Sequence, residues 1–234
     1  MLAIYKKELR SYFISPIGYT FVALFLCVSS LLFTYLNLYS ATSDISSYYL
    51  IMLFLFAILI PLLTMRSLSE EKKSKTEQIL LTSPVSLLSV IVAKYLAAFT
   101  LFAGTLLVSC LNIIALFAYG EPNTAVLFAT TLGILLIGSA FVAIGIFISA
   151  CTENQLISAL FTIATIAATL VLGVVANYIN FTPVRVVLKW ISIFDRFYNF
   201  TYGYFDLVAL LYYISISVIF LFLTVRVFEK RRWE

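Results

Sequence analysis

Residues 125–150 read AVLFATTLGILLIGSAFVAIGIFISA and contain no Asp, Glu, Lys or Arg. A helix needs about 20 apolar residues to cross the hydrocarbon core of a bilayer, so this run is long enough to span it. A helix at the surface of a soluble protein would instead carry polar residues along one face. The stretch therefore predicts a transmembrane helix.

Five further apolar runs have a comparable length. They cover residues 17–38, 48–65, 88–118, 156–178 and 207–226. The run 88–118 exceeds the thickness of a bilayer, which predicts a tilted helix or one that begins in the interface, with Lys94 snorkelling outward. We therefore expect an all-α integral membrane protein with six transmembrane helices, built as a single domain over residues 1–234.

The composition of the whole chain agrees with a membrane protein. Of its 234 residues, 63% are apolar and 11% are charged, and the mean hydropathy is +1.07. A soluble domain is about half apolar and about a quarter charged. The chain has too few polar residues to cover a surface in water, which excludes a cytosolic enzyme, a nucleic-acid-binding module and a disordered chain. The lipid bilayer is its expected surrounding.

Residues that carry chemistry are sparse. The chain has no histidine, and its three cysteines are far apart, so neither a metal pair nor a disulfide framework is expected. Gly133 and Gly138 have the spacing of a phosphate-binding loop, but Ser139 stands where that loop needs a lysine. We predict no catalytic residue and no metal or cofactor bound by this chain.

Basic residues predict the orientation of the helices. They cluster before the first span, between the second and third, and after the sixth: Lys6, Lys7, Arg10; Arg66, Lys72, Lys73, Lys75; Arg226, Lys230, Arg231, Arg232. The positive-inside rule places these segments, and both termini, in the cytoplasm. The exception is segment 179–206, which carries Arg185, Lys189 and Arg196 on the outer side.

With these predicted boundaries, the cores of the six spans contain no ionisable side chain. A transporter driven by an ion gradient generally needs such a group near the midplane. If such a bundle transports a substrate against its gradient, the energy must come from outside this chain.

Two predicted cytosolic segments are candidates for interaction. Residues 2–15 carry apolar and aromatic residues on one helical face: Leu2, Tyr5, Leu9, Tyr12 and Phe13. This pattern is typical of a helix that lies in the membrane interface. A basic segment that only fixes the topology of the first span fits these residues equally well. Residues 66–85 combine seven charged residues with an apolar Ile-Leu-Leu turn. This favours a short helix that docks on a soluble partner, or else a loop that only sets topology.

Short motifs are distributed over nearly the whole chain. They are Lys6-Lys7-Glu8-Leu9-Arg10, Ser15-Pro16-Ile17, Glu70-Glu71-Lys72, Thr76, Leu80-Leu81-Thr82-Ser83-Pro84-Val85, Lys94 and the stretch from Phe222 to Arg232. Together with six spans and inward termini, they resemble the type-2 ABC exporter permeases (the ABC-2 type transporter family), and within it the gliding-motility-type branch. In many relatives a Gly-Thr pair precedes the Leu-Leu turn, whereas here Lys75 precedes Thr76.

The resemblance implies a non-catalytic permease subunit of an exporter in a bacterial plasma membrane. Residues 2–15 would be its elbow helix, and 67–84 a coupling helix docked on an ATP-binding cassette subunit that binds ATP and Mg. The implied ATPase contacts are Glu70, Glu71, Lys72, Thr76, Leu80, Leu81 and, in a second cytosolic loop, Glu153. A second permease copy would complete the transport path. The residues alone also allow a six-span scaffold protein without transport activity.

Segment 179–206 has a helical period from Val184 to Ile191. We expect it to lie on the outer leaflet or to dip into it, as the re-entrant helices of the family do. Asp195, Arg196, Asn199 and Tyr202 could then form an outer gate, or the segment could be an interfacial loop held by its aromatic residues.

The small residues of the fourth and fifth spans predict close helix packing within the chain rather than a dimer face, among them Gly133, Gly138, Gly145, Ser149 and Gly173.

Overall fold

The computed structural model describes residues 1–76, 86–120, 122–176, 178–179 and 181–233. The described residues form helices and connecting turns, without a strand. The helices are α1 (Leu2–Ile14), α2 (Pro16–Phe33, continued by a π-helix over Thr34–Tyr39), α3 (Ser46–Thr64), α4 (Ser69–Lys73), α5 (Leu87–Ser109), α6 (Leu111–Tyr119), α7 (Thr124–Cys151), α8 (Gln155–Ala176), α9 (Thr182–Ile191), α10 (Ile193–Thr201) and α11 (Leu207–Trp233).

Six helical segments in the described residues are long and apolar enough to cross a membrane, which confirms the predicted fold class. They are α2 with its π-helical extension, α3, α5 with α6, α7, α8 and α11. The largest shift of a boundary is in α11, which continues to Trp233 instead of ending at 226. Its last turns contain Glu, Lys and Arg, which favour helix and need no membrane around them.

The long run 88–118 forms two helices with a break at Cys110. Just before the break, the Ser109 hydroxyl donates to the Leu106 carbonyl at 2.7 Å. Such a local bond competes with the helical hydrogen bonds of the backbone and can bend a helix. The break thus divides a run that is too long for one straight crossing.

Helix α7 is the most buried of the six spans and lies at the centre of the bundle. Its glycines allow other helices to approach closely. Gly138 faces the ring of Phe102 in α5, and Gly145 faces Thr64 in α3. The predicted packing of these glycines within the chain is confirmed, because each lies against another helix of the same molecule.

The two ends of the bundle differ in their contents. The hairpin end comprises α1, α4 and the turn 152–154 between α7 and α8. The loop end comprises residues 40–45, 122–123 and the helices α9 and α10. Helix α10 dips into the bundle here, since Phe197 and Phe200 pack against Gly133 of α7. Gly133 is nine residues into α7, about 13 Å below its start.

We expect the Gly138→Ala variant to be less stable than the parent protein. A methyl group at this position would overlap the ring of Phe102, which is fully buried. Overpacking of this kind typically costs about 1–3 kcal/mol. Thermal or denaturant unfolding in detergent micelles measures the effect.

The matched control is Gly104→Ala in α5, where a methyl group would meet no atom within 4 Å. That substitution should leave the unfolding transition unchanged or raise it slightly, because alanine favours helix. Equal stabilities of the two variants would contradict the role assigned to Gly138.

Candidate functional site

A buried lysine joins three segments at the hairpin end. Lys94 of α5 is only 2% exposed. Its ammonium group lies 2.8 Å from Glu71 Oε1, 3.2 Å from Glu8 Oε1 and 2.9 Å from the carbonyl oxygen of Ser67. Glu8 belongs to α1, whereas Ser67 and Glu71 belong to the segment that follows α3. We call Glu8, Glu71 and Lys94 the ion cluster.

The expectation that Lys94 snorkels to water was wrong. Lysine extends outward only when no internal acceptor is available, and here two carboxylates and a carbonyl surround the ammonium group. Each carboxylate side chain is itself mostly buried, with 15% exposure for Glu8 and 19% for Glu71. A buried charge is tolerated when it is paired and hydrogen-bonded in this way.

The start of α4 is attached to α7 by one hydroxyl group. Ser149 Oγ accepts hydrogen bonds from the amides of Leu68 and Ser69 at 3.1 and 3.0 Å, and donates to the Met65 carbonyl at 3.2 Å. The first amides of a helix have no partner within the helix, so this serine supplies one from a neighbouring span. The segment after α3 is thereby held against the centre of the bundle.

Helix α1 packs along α5 and reaches the end of α3. The Tyr12 hydroxyl donates to the Leu63 carbonyl at 3.4 Å, and the Tyr5 hydroxyl donates to Thr100 Oγ1 at 3.2 Å. Leu2 and Phe13, which the helical period places on the same face, are exposed instead. The predicted apolar face of this helix is therefore divided between the bundle and the surrounding solvent or lipid.

The segment 67–84 is not one continuous helix. Helix α4 ends at Lys73, and a turn follows over 74–76 in which Lys75 has a φ of +55°. A left-handed residue ends a helix, and its cost is tolerated where the chain must change direction. The predicted contact residues Leu80 and Leu81 lie outside the described residues.

The remaining predicted ATPase contacts lie in different environments. Glu70 pairs with Arg66, and Lys72 pairs with Glu153 at 3.0 Å across the two loops of the hairpin end. The Thr76 hydroxyl is exposed and bonds within its own turn. Glu71, by contrast, faces the interior, so it is positioned to hold the segment rather than to meet a partner. The structure brings Glu153 beside this segment, and the contact of these residues with an ATPase subunit stays a prediction.

A small polar cavity of about 130 Å³ lies next to the ion cluster. It is bordered by Lys7, Glu8 and Ser11 of α1 and by residues of the segment after α3. Glu71 Oε2 and Ser67 Oγ are buried without a partner among the described residues. Buried polar atoms of this kind are commonly hydrated, so the cavity suits water molecules that would complete the ion cluster.

At the loop end, the four predicted gate residues lie on or directly after α10. Asn199 Nδ2 donates to Asp206 Oδ2 at 2.9 Å, and this bond is the main reason that the pKa of the Asp206 carboxyl lies below its usual value. The Tyr202 hydroxyl donates to the Tyr198 hydroxyl at 3.1 Å. Arg196 interacts with this group only through its charge, which also lowers the pKa of the Asp206 carboxyl, and Asp195 forms no side-chain hydrogen bond with it. No single constellation of the four forms, and a common gating role stays a prediction.

Sequence reasoning missed Glu8 and Ser149. Glu8 was read only as part of a basic helix, and Ser149 only as a small packing residue. The one available signal was the acidic residue on an otherwise basic amphipathic helix, since such a residue needs a cation. Ser149 had no signal, because its partners are backbone amides that come from the fold.

We expect Lys94→Met to destabilise the protein by about 3–5 kcal/mol, because removal of one partner leaves two buried carboxylates without a counter-charge. Unfolding in detergent micelles measures the loss. Lys73→Met is the matched control, since Lys73 is exposed. Combining Lys94→Met with Glu8→Gln and Glu71→Gln should recover much of the stability. Equal unfolding of the Lys94 and Lys73 variants would contradict this assignment.

Comparison with known proteins gives the family. A sequence model described as ABC-2 family transporter protein matches residues 28–228, most of the chain. A search among curated proteins gave no match. In this family the membrane subunits are non-catalytic and the ATPase is a separate subunit, so membership implies an ATP-binding cassette partner. With its six apolar helices, the chain belongs to the ABC-2 transporter family, as a multi-pass permease subunit of an ABC transporter.

Proposed function

We propose that this chain is the membrane subunit of an exporter, and that work from ATP hydrolysis enters it through α4 and the turn after it. The observation that carries the proposal is the ion cluster, in which one buried ammonium group joins the segment after α3 to α1 and α5. A segment that only set topology would need no such attachment to the bundle.

The attachments of α4 determine which helices would move with it. Ser149 ties its start to α7, and Lys94 ties it to α5 and, through Glu8, to α1. Charged groups buried at these distances resist separation, because each would be left without a partner. A displacement of α4 would therefore move whole helices, and tightly packed helices shift between discrete arrangements rather than deform.

The surface offered to the ATPase subunit consists of the exposed residues of this end. Lys73, Lys75 and Thr76 are exposed, and the Glu153 side chain is 70% exposed. The apolar residues Leu80 and Leu81, which lie outside the described residues, would supply the remaining contacts. Glu71 is assigned a positioning role instead, because its carboxylate is engaged with Lys94.

The finer features of the proposal rest on charge and resemblance. The basic residues at the hairpin end support a cytoplasmic location for both termini in a bacterial plasma membrane. ATP and Mg would be bound by the ATPase subunit, and a second permease copy would complete the path. Export, and a place in the gliding-motility-type branch, follow from the motif resemblance.

Copurification from the source organism tests the proposal directly. A tagged full-length chain should retain a protein with a Gly-x-x-x-x-Gly-Lys-Ser/Thr motif, and the ATPase rate of that protein should change when the chain is present. Recovery without any ATP-binding protein would overturn the proposal. An ATPase that binds but hydrolyses at the same rate with and without the chain would favour the scaffold function.

A charge exchange between Lys72 and Glu153 tests whether the two loops act together. The Glu153 side chain is 70% exposed and that of Lys72 is 18% exposed. Solvent therefore screens the pair in part, and we expect it to contribute about 1 kcal/mol to stability, so that Lys72→Glu still folds. We expect it to weaken the effect of the chain on the ATPase rate, and the double variant Lys72→Glu with Glu153→Lys to restore part of it.

Arg226→Glu is the control, because it breaks an ion pair with Glu229 that is exposed and lies outside α4 and its loop. A Lys72→Glu variant that behaves like this control would show that the pair has no part in coupling.

A further inference from the structure

Arg196 is held at the loop end by aromatic rings rather than by a carboxylate. Its Cζ atom lies 4.1 Å from the ring centroid of Tyr212 in α11 and 5.7 Å from that of Trp190 in α9. Contacts between a guanidinium group and ring faces hold the group in position and leave its N–H edges available for other partners.

The hydrogen-bonding capacity of Arg196 is largely unused within the described residues. Its Nη2 atom donates to the Trp190 carbonyl at 3.4 Å, and its Nε atom is buried without a partner there. None of the ion pairs found in the described residues includes Arg196. A guanidinium group has five N–H donors, so most of them call for an acceptor that these residues do not provide.

The two acidic residues near Arg196, Asp195 and Asp206, form no hydrogen bond or ion pair with it, although its charge contributes to the lowered pKa of the Asp206 carboxyl. Asp206 accepts hydrogen bonds from Asn199 and from the amides of Val208 and Ala209 at the start of α11. Asp195 is adjacent to Arg196 in a helix, and consecutive helical residues do not face each other. Its carboxylate lies in the first turn of α10, where the helix dipole stabilises it, and its Oδ2 atom is buried without a partner among the described residues.

The surroundings of Arg196 are those of a membrane interface. Tyr212 is five residues into α11, about 7 Å below the start of that span. Helix α9 combines basic residues with an exposed Trp190, whose side chain is 70% exposed. A helix that mixes cations and exposed aromatic residues lies at the level of the lipid headgroups.

We propose that Arg196 binds the phosphate of an anionic phospholipid in the leaflet that surrounds the loop end. The fork of a guanidinium group matches phosphate oxygens in a bidentate geometry. Arg185 and Lys189 on α9 add positive charge, which attracts anionic headgroups in preference to zwitterionic ones. This site also gives a reason for basic residues in segment 179–206, the segment that departs from the charge pattern of the other loops.

Trp190 provides a local reporter for the test. Trp190 and Trp233 are the two tryptophans of the chain, so the Trp233→Phe variant leaves one fluorophore beside Arg196. This full-length variant is reconstituted in phosphatidylcholine vesicles, with brominated chains either on added phosphatidylglycerol or on phosphatidylcholine. Quenching by each brominated lipid then measures which lipid lies next to Trp190.

We expect phosphatidylglycerol to be enriched about fivefold next to Trp190. Arg196→Gln should remove the enrichment, and Arg196→Lys should keep part of it, since the charge remains but the fork is lost. Arg226→Gln is the matched control: Arg226 lies over a ring, that of Phe222 at 5.0 Å, but is paired with Glu229. It should leave the enrichment unchanged.

Equal quenching by both lipids in the parent, or an enrichment that survives Arg196→Gln, would overturn the proposal. Dissolved inorganic phosphate should not displace the lipid, and loss of the enrichment on its addition would assign the site to a free anion instead. If Arg196→Gln fails to fold, as judged by circular dichroism, the Arg196→Lys variant decides. An unchanged enrichment in that variant would contradict binding by the guanidinium fork.

Discussion

One buried positive charge determines how the hairpin end of this protein is arranged. The ammonium group of Lys94 is withdrawn from water and must be surrounded by acceptors, since an unpaired charge in the bundle would be very unfavourable. Glu8 and Glu71 supply them, and in doing so they bring together a helix at the start of the chain and the segment after the second span. The connection between these distant parts of the chain is electrostatic, whereas most other contacts in the bundle are apolar.

The rest of the bundle is organised around α7. In a bilayer, apolar surface alone gives helices little reason to associate, so close packing and a few polar bonds must do it. Gly138 and Gly145 let α5 and α3 approach, and Ser149 bonds the segment that leads into α4. The same helix therefore carries both the packing core and one attachment of the proposed coupling segment. In the proposed function, a force on α4 would reach the centre of the bundle directly through these bonds.

The two ends use charge in different ways. At the hairpin end, the ion cluster and the Lys72–Glu153 pair hold protein segments to one another. At the loop end, Arg196 rests on aromatic rings, and most of its donors have no acceptor in the described residues. This difference matches the two proposals, in which the hairpin end binds the ATPase subunit and the loop end binds a lipid headgroup.

The sequence by itself determined the six spans and the membrane environment, because apolar length and the scarcity of charge depend only on the order of residues. It also indicated the segment 66–85 and the helical period from Val184 to Ile191. Only the tertiary structure decided that Lys94 is buried, that Glu71 faces inward, that α4 ends at Lys73, and that Ser149 holds its start. Each of these depends on which groups from distant parts of the chain come within a few ångströms, and no local pattern records that.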